Sequence, residues 1–420
     1  MRVAPLGIST AFAALLATSL LLGVLYRNAW VEDMEWKYDE RTMFEASQPS
    51  EPLPWVGMQA SVGLPNPGMS VWVFAALVRL FGAREPLALG RTVMVLNSIA
   101  IALLFLFALR RPEEEERPAW LWAGALAAVN PGAIQLQRKI WAQSVLPVFS
   151  LGMLYAWWNR HTRWGAFLWG VLGAGLGQIH MSGFFFAAGL ALWTVLFERA
   201  PGAPLPRWRW WLLGSALAAW PLVPWAAEVL AAPGGGHPGW DWRVPLWLEF
   251  WPQWFGDVTG LETARSLGRV GFLDWLGTPL WNGHRTFAVG ALLLASLAMA
   301  AAAVVGAART LWPRRREWRA LAGGASSTGR AQNAAFLGFG ILLTVAGVQM
   351  YPHYLIVVFP LTYLWLARAA LLRPGGRRLL AGIWMAQVLL AALFLLYVHR
   401  NGGSPEGDYG VPYARQVVGR

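Results

Sequence analysis

FAVGALLLASLAMAAAAVVGAA, residues 287–308, holds no ionisable side chain over its 22 positions. As a helix rising 1.5 Å per residue, such a run reaches about 33 Å, enough to cross a hydrocarbon core of about 30 Å. STAFAALLATSLLLGVLY, residues 9–26, is a second run of this kind, with only its terminal tyrosine titratable. The chain around them has 420 residues, of which 56% are hydrophobic and 13% charged, with 28 Trp and 20 Phe. Soluble domains carry about 25% charged residues, so the composition describes an integral, all-α membrane protein.

The formal charge of +12 does not mark a nucleic-acid binder. Most of the arginines fall in short loops between apolar runs, where insertion topology places them on the cytoplasmic side. With no Cys, disulfides and thiolate metal sites are excluded. Arg2 followed by an apolar run resembles a signal peptide. Tyr26-Arg27-Asn28-Ala29 lacks small residues at both cleavage-defining positions, which predicts a retained signal anchor.

Twelve apolar segments are visible, and loop charge orients them. The loops 110–118, 159–163, 198–210, 307–333 and 368–378 are rich in Arg, whereas 27–66 carries Glu32, Asp33, Glu35, Asp39, Glu40, Glu45 and Glu51 against Arg27, Lys37 and Arg41. The Arg-rich loops are expected inside and the acidic segment outside. Twelve spans would violate that assignment and eleven satisfy it. Segment 67–82 is the one removed, because it is short, opens with Pro65-Asn66-Pro67-Gly68 and contains Arg79. It is expected as an interfacial or re-entrant helix in the first external loop. The expectation is thus about eleven transmembrane helices, with the N-terminus cytoplasmic and the C-terminus external.

Three regions follow: a transmembrane catalytic module over 1–230, including the external loop 27–87; a large external loop over 231–285; and C-terminal helices with an external tail over 286–420. The middle region holds Trp240, Trp242, Trp247, Trp251, Trp254, Trp275 and Trp281. These fit a belt at headgroup level, or a wall over a lipid-linked substrate. Ala322 to Gln332, with GGASSTGR inside it, reads as a flexible linker. No internal repeat suggests the paired halves of a transporter.

WKYDERTMFE, residues 36–45, is the stretch from which chemistry is expected. Asp39 can cap a short helix whose Met43 and Phe44 face lipid, leaving Asp39 and Glu40 at the membrane surface. A carboxylate at that depth suits a general base, and it equally suits a solvated helix cap. An Asp-Glu pair opening a juxtamembrane helix just after the first span resembles the first-loop motif of the C-superfamily glycosyltransferases. The match is nearest to the protein O-mannosyltransferase and aminoarabinose transferase branch. Pro65-Asn66-Pro67-Gly68, Leu80-Phe81-Gly82 and Arg91 are similar to the pieces that follow in that family. Asn130-Pro131 with Gln137-Arg138-Lys139 resembles its next external turn, and Tyr351-Pro352-His353-Tyr354 with Pro360 its late aromatic and proline motif. The sequence departs from the pattern at Asn66-Pro67-Gly68, where paired prolines are usual, and lacks the lysine that commonly precedes them.

The resemblance implies Asp39 as the catalytic carboxylate with Glu40 as its helper, a polyprenyl-phosphate-sugar donor, and transfer with inversion. Such a donor needs cations near the outer face, and the topology places Arg91, Arg138, Lys139, His180 and His353 at that level, with Tyr354 adjoining. Each has a plainer reading: snorkelling for Arg91, an ordinary loop pair for Arg138 and Lys139, a structural histidine for His180, a helix end for His353. Glu228 reads as a second cavity carboxylate or as an exposed helix terminus. No spacing resembles a zinc site and no phosphate loop follows a strand, so no cofactor is expected; a divalent ion on Asp39, Glu40 or Glu228 is not favoured. The function expected is transfer of a sugar to a glycan, lipid or protein acceptor outside an inner membrane. A transporter or lipid flippase is the alternative, and a non-catalytic envelope scaffold the third.

Overall fold

The computed structural model describes residues 9–60, 63–110, 114–198, 205–231, 248–348, 350–404, 407 and 410–417. The expected Trp240, Trp242 and Trp247 lie outside the described residues, as do Arg111 and Arg199 of the basic loops. The chain is a helical bundle with two small antiparallel hairpins, Val56–Gln59 with Pro65–Pro67 and Leu280–Trp281 with His284–Arg285.

Helices α1 (Thr10–Asn28), α2 (Tyr38–Ala46), α3 (Met69–Phe81), α4 (Pro86–Leu109), α5 (Arg117–Val129), α6 (Pro131–Leu136) and α7 (Leu146–Trp158) build the first half. They are followed by α8 (Arg163–Ile179), α9 (Ser182–Phe197), α10 (Trp208–Ala218) and α11 (Leu222–Ala231). Next come α12 (Phe250–Thr259), α13 (Thr263–Gly277) and α14 (Ala288–Leu311). A 3-10 turn at Pro352–Val358 and the helices Leu361–Leu371 and Gly376–Asn401 complete the bundle.

Four described helices are long and apolar enough to cross a membrane: Thr10–Asn28, Pro86–Leu109, Ala288–Gly323 and Gly376–Asn401. The count reaches six if the bent pairs α10 with α11 and Pro352–Val358 with Leu361–Leu371 are each one span. The protein is therefore a multi-pass membrane protein. The larger count of eleven treats short apolar runs as spans. Several of those runs fold as helices interrupted by proline, as at Asn130-Pro131 and Phe359-Pro360, where the missing N–H and the ring end a helix. Segment 67–82 forms the 13-residue α3, too short to span alone, with Leu80 and Phe81 exposed at its end.

Packing follows small residues where helices meet closely. Gly170 of α8 sits against the backbone at Trp211 and Ser215, and Gly214 of α10 against Phe167, so a side chain at either would meet the other helix's main chain. Such small-residue contacts let membrane helices associate where burial from water supplies little drive.

Two expectations change. Ala322 to Gln332 is ordered rather than a linker: Ser326 caps the helix Ser327–Asn333 and donates to Glu116 Oε1 at 2.8 Å, and buried Thr328 accepts from Trp120 Nε1 at 3.0 Å. Its Gly and Ser residues serve a cap and close packing instead of flexibility. In the 231–285 region, Trp254 and Trp275 are buried in the core instead of forming a belt, Trp251 is half-buried and donates to Phe336 O at 2.9 Å, and Trp281 is exposed. Folding of this region into α12 and α13 gives the two indoles a protein interior to enter.

Candidate active site

The acidic stretch is placed by how α1 ends. Past Asn28 the chain turns through Trp30, in the left-handed region at φ 45°, then a 3-10 turn Val31–Asp33, then extended residues leading to α2. Two buried arginines fix that exit reciprocally. Arg27 donates to Ala127 O (3.0 Å) and Ala128 O (2.7 Å) at the end of α5 and to Gln137 Oε1 (2.7 Å). Arg138 in turn donates to Tyr26 O (2.7 Å) and Trp30 O (2.8 Å). Each satisfies carbonyls that a helix end leaves without intrahelical partners.

Lys37 occupies the cap position of α2, and Glu40 Oε2 accepts from Lys37 N at 3.0 Å. Asp39 and Glu40 thus lie in the first turn, where the helix dipole favours negative charge. One turn further along α2 the helix is covered by protein rather than lipid: Met43 is 1% exposed in the core, and Phe44 packs edge-on to Trp36 at 5.8 Å. The lipid-facing reading of Met43 fails because α3 packs on α2 and Met43 joins the protein core.

Asp39 and Glu40 open onto a cavity of about 370 Å³. Its walls come from four separate places in the chain: Glu35 to Glu40; Gln135, Leu136, Lys139 and Trp141 around the end of α6; Glu262, Arg265 and Ser266 on α13; and Tyr351 to His353. Glu35, buried, pairs with Lys37 at 3.0 Å and with Lys139. Arg265, exposed, lines the cavity from α13. Glu40 is 3% exposed, and burial, reinforced by the charge on Glu35 and opposed by Lys139, pushes its carboxyl up to about 7. Trp141 and Tyr351 flank the His353 ring at 4.7 and 5.7 Å, and Lys139 lies 5.2 Å over Trp141. The cavity therefore gathers carboxylates, cations and aromatic rings into one lining.

Of the residues singled out in the sequence, Asp39, Glu40, Lys139 and His353 line this cavity. His180 and Tyr354 stand one layer behind it. The His180 ring is 6.2 Å from that of His353 and 5.1 Å from that of Tyr354, and its Nδ1 is 2.7 Å from Ser182 Oγ. Arg138 does not line the cavity; its fork donates to Tyr26 O at the end of α1 and to Trp30 O in the turn beyond it. Arg91 is exposed on α4 and also lies off it, as does Glu228 on α11. Among the described residues no three His, Asp or Glu side chains gather as a metal site.

The sequence reading passed over Glu35, Lys37, Trp141, Glu262, Arg265 and Tyr351. One signal was present: Glu262 and Arg265 are spaced i, i+3 on α13 and so share a face. Nothing in the spacing tied that face to residues more than 200 positions earlier.

No protein-family model matches the sequence, and no curated protein does. Solved structures do. ArnT from Cupriavidus metallidurans bound to undecaprenyl phosphate superposes with a TM-score of 0.51 at 13% identity, over 94% of this chain and 78% of that one. The oligosaccharyltransferase AglB from Archaeoglobus fulgidus, in complex with an inhibitory peptide and a dolichol-phosphate, gives 0.43 at 13% identity, over 96% and 56%. The apo oligosaccharyltransferase of that organism gives 0.40 at 16%, over 92% and 54%; this chain spans about half the length of either. At such identities likeness is a matter of fold, and the fold of this chain is that of ArnT, the one its sequence motifs imply.

Proposed function

We propose that the protein is a membrane glycosyltransferase that moves a sugar from a polyprenyl-phosphate carrier to an acceptor at the outer face of an inner membrane. One observation carries this: Asp39, at the first turn of a short helix following the first span, lines a single cavity together with Lys139, Arg265 and His353. The likeness in fold to a protein bound to undecaprenyl phosphate supports the choice of donor.

In this reading an acceptor hydroxyl or amine attacks the anomeric carbon of the donor sugar. A bond forms from the acceptor heteroatom to that carbon, the bond from the carbon to the phosphate oxygen breaks, and its electron pair leaves with the phosphate. Asp39 takes the proton that the acceptor loses. Arg265 is aimed at the charge developing on the leaving phosphate, because a guanidinium can bind two phosphate oxygens at once. Lys139 and His353 add donors to the same wall. Glu40 holds the α2 N-terminus through Lys37 N and leaves the role of base to Asp39. Trp141 and Tyr351 offer flat apolar faces for the sugar ring.

Membranes from cells expressing the full chain should transfer labelled sugar from endogenous lipid-linked donors to an acceptor. Asp39→Asn should lower that transfer by about 10²–10⁴, the range general-base removal produces, while undecaprenyl phosphate still binds the purified variant. Wild-type transfer by Asp39→Asn would refute the reading.

A further inference from the structure

The Gly376–Asn401 helix ends at Gly402, and described residues beyond it contact Lys37 and the backbone at Ser266, both of which belong to the cavity lining. This strap touches both walls. On the α13 side, Ser404 Oγ donates to Leu267 O, and Gly407 lies so close to the Ser266 and Leu267 backbone that any side chain there would collide with it. On the first-loop side, Gly407 O accepts from Lys37 Nζ at 2.6 Å, and Gly410 packs on the Lys37 side chain. Tyr413 N donates to Met34 O at 2.9 Å, and Gln416 Nε2 to Trp36 O at 2.6 Å. The Tyr413 and Trp36 rings meet edge-on at 5.4 Å, and Glu35 and Pro412 form an antiparallel bridge.

Met34 to Lys37 is the extended lead into α2, and it has no helix of its own to hold it. Its carbonyls at Met34 and Trp36 are met by the strap, and its Lys37 amide by Glu40. Lys37 then links the strap to the interior: through Glu35 it reaches Lys139, so one chain of polar contacts runs from Gly407 into the cavity wall. A lysine that bridges a carboxylate and a backbone carbonyl fixes both, and an i, i+1 neighbour of a helix start transmits that fixation to the first turn.

We infer that the described residues Ser404, Gly407 and 410–416 act as a positioning strap that sets Asp39 within the cavity that Arg265 also lines, with Lys37 as its link to the site. The inference rests on the proposed glycosyltransferase reading for its catalytic consequence, but not for its structural one. A carboxylate acting as a base needs placement within hydrogen-bond reach of the proton it takes, and a displacement of about 1 Å can cost roughly 10²-fold in rate. Loss of the strap should therefore lower turnover while leaving the binding of lipid phosphate intact.

The test uses the full chain carrying Tyr413→Ala with Gln416→Ala, followed by amide hydrogen exchange in detergent. Exchange over Trp36 to Arg41 is expected to rise by about tenfold, with α4 and the Gly376–Asn401 helix keeping their protection. Undecaprenyl phosphate affinity should stay within about twofold of wild type while sugar transfer falls by about tenfold or more. Lys37→Met should reproduce the effect on exchange and transfer, and Lys37→Arg, which keeps the charge and the donors, should restore most of it. Should the double variant not fold, the Lys37 pair carries the test alone. Unchanged exchange over Trp36 to Arg41 in the folded variants overturns the strap. If the wild-type chain fails to bind undecaprenyl phosphate, the glycosyltransferase reading falls, and the exchange result still decides the strap.

Discussion

Glu40 is the residue at which sequence and environment disagree most usefully. Its carboxyl is buried beside Glu35, and both effects favour the neutral form, so it titrates near 7 instead of the usual 4.5. The folded state thus holds this proton more tightly than the unfolded chain does. The resulting stability is fully present below about pH 4.5 and is lost as pH rises to about 7. Thermal unfolding of wild type and Glu40→Gln in detergent, followed across that window, should show the two curves diverging as wild type weakens; parallel curves would contradict the burial argument. Asp39, one residue earlier, is exposed to the cavity and keeps access to an acceptor. Two adjacent carboxylates thus differ in exposure, one serving the helix and the other, in the proposed reading, free to serve chemistry. The sequence showed the pair but could not rank its members by burial, because which side of a helix's first turn faces protein depends on what packs there. The same limit applies at Arg138 and Lys139. In an irregular turn no periodicity separates neighbours, and one points to backbone carbonyls while the other enters the cavity.

At the scale of elements, the outcome turns on how helix ends are satisfied within a low-dielectric surrounding. Apolar runs revealed where helices lie, because spans need about 20 apolar residues and little else does. The runs do not show their own breaks: α5 ends at Val129 and α6 restarts at Pro131, within the external turn expected at Asn130-Pro131, and the short α6 leads Gln135, Leu136 and Lys139 to the cavity. Such a junction exposes carbonyls that must find donors. Arg27 and Arg138 supply them where α1 meets the end of α5 and the turn after α6, and this role explains why buried arginines sit at those positions. Replacing Arg138 by Met should leave Tyr26 O and Trp30 O without that donor and reduce stability by about 1.5–3 kcal/mol, the range for hydrogen bonds to charged groups. Arg138→Lys, with one compact ammonium in place of a fork, should fall between Met and wild type. Unfolding midpoints in detergent for the three proteins measure this directly. Equal midpoints would mean the carbonyls find other partners.

For the whole molecule, the decisive property is the separation of charge along the bundle. The acidic loop after α1, the cavity and the strap after Gly402 share one end. Trp312 to Arg319, with Arg314, Arg315, Arg316 and Arg319 exposed, closes Ala288–Leu311 at its other end. The Arg-rich side should stay in the cytoplasm, since basic loops of this length resist translocation. That orientation would put the cavity outside, where, in the proposed reading, a carrier lipid presents its sugar to an extracytoplasmic acceptor and no soluble nucleotide donor is at hand. The absence of cysteine from the chain makes the assignment testable without background. Ser50→Cys, on the exposed turn after α2, and Arg315→Cys, in the basic turn, each introduce one accessible thiol. A maleimide that cannot cross membranes should label Ser50→Cys in intact spheroplasts, and label Arg315→Cys only after the membrane is opened. The reverse pattern would put the cavity in the cytoplasm and remove the reason for a lipid-carried donor, while labelling of both thiols in intact cells would break the link between loop charge and orientation on which the topology stands.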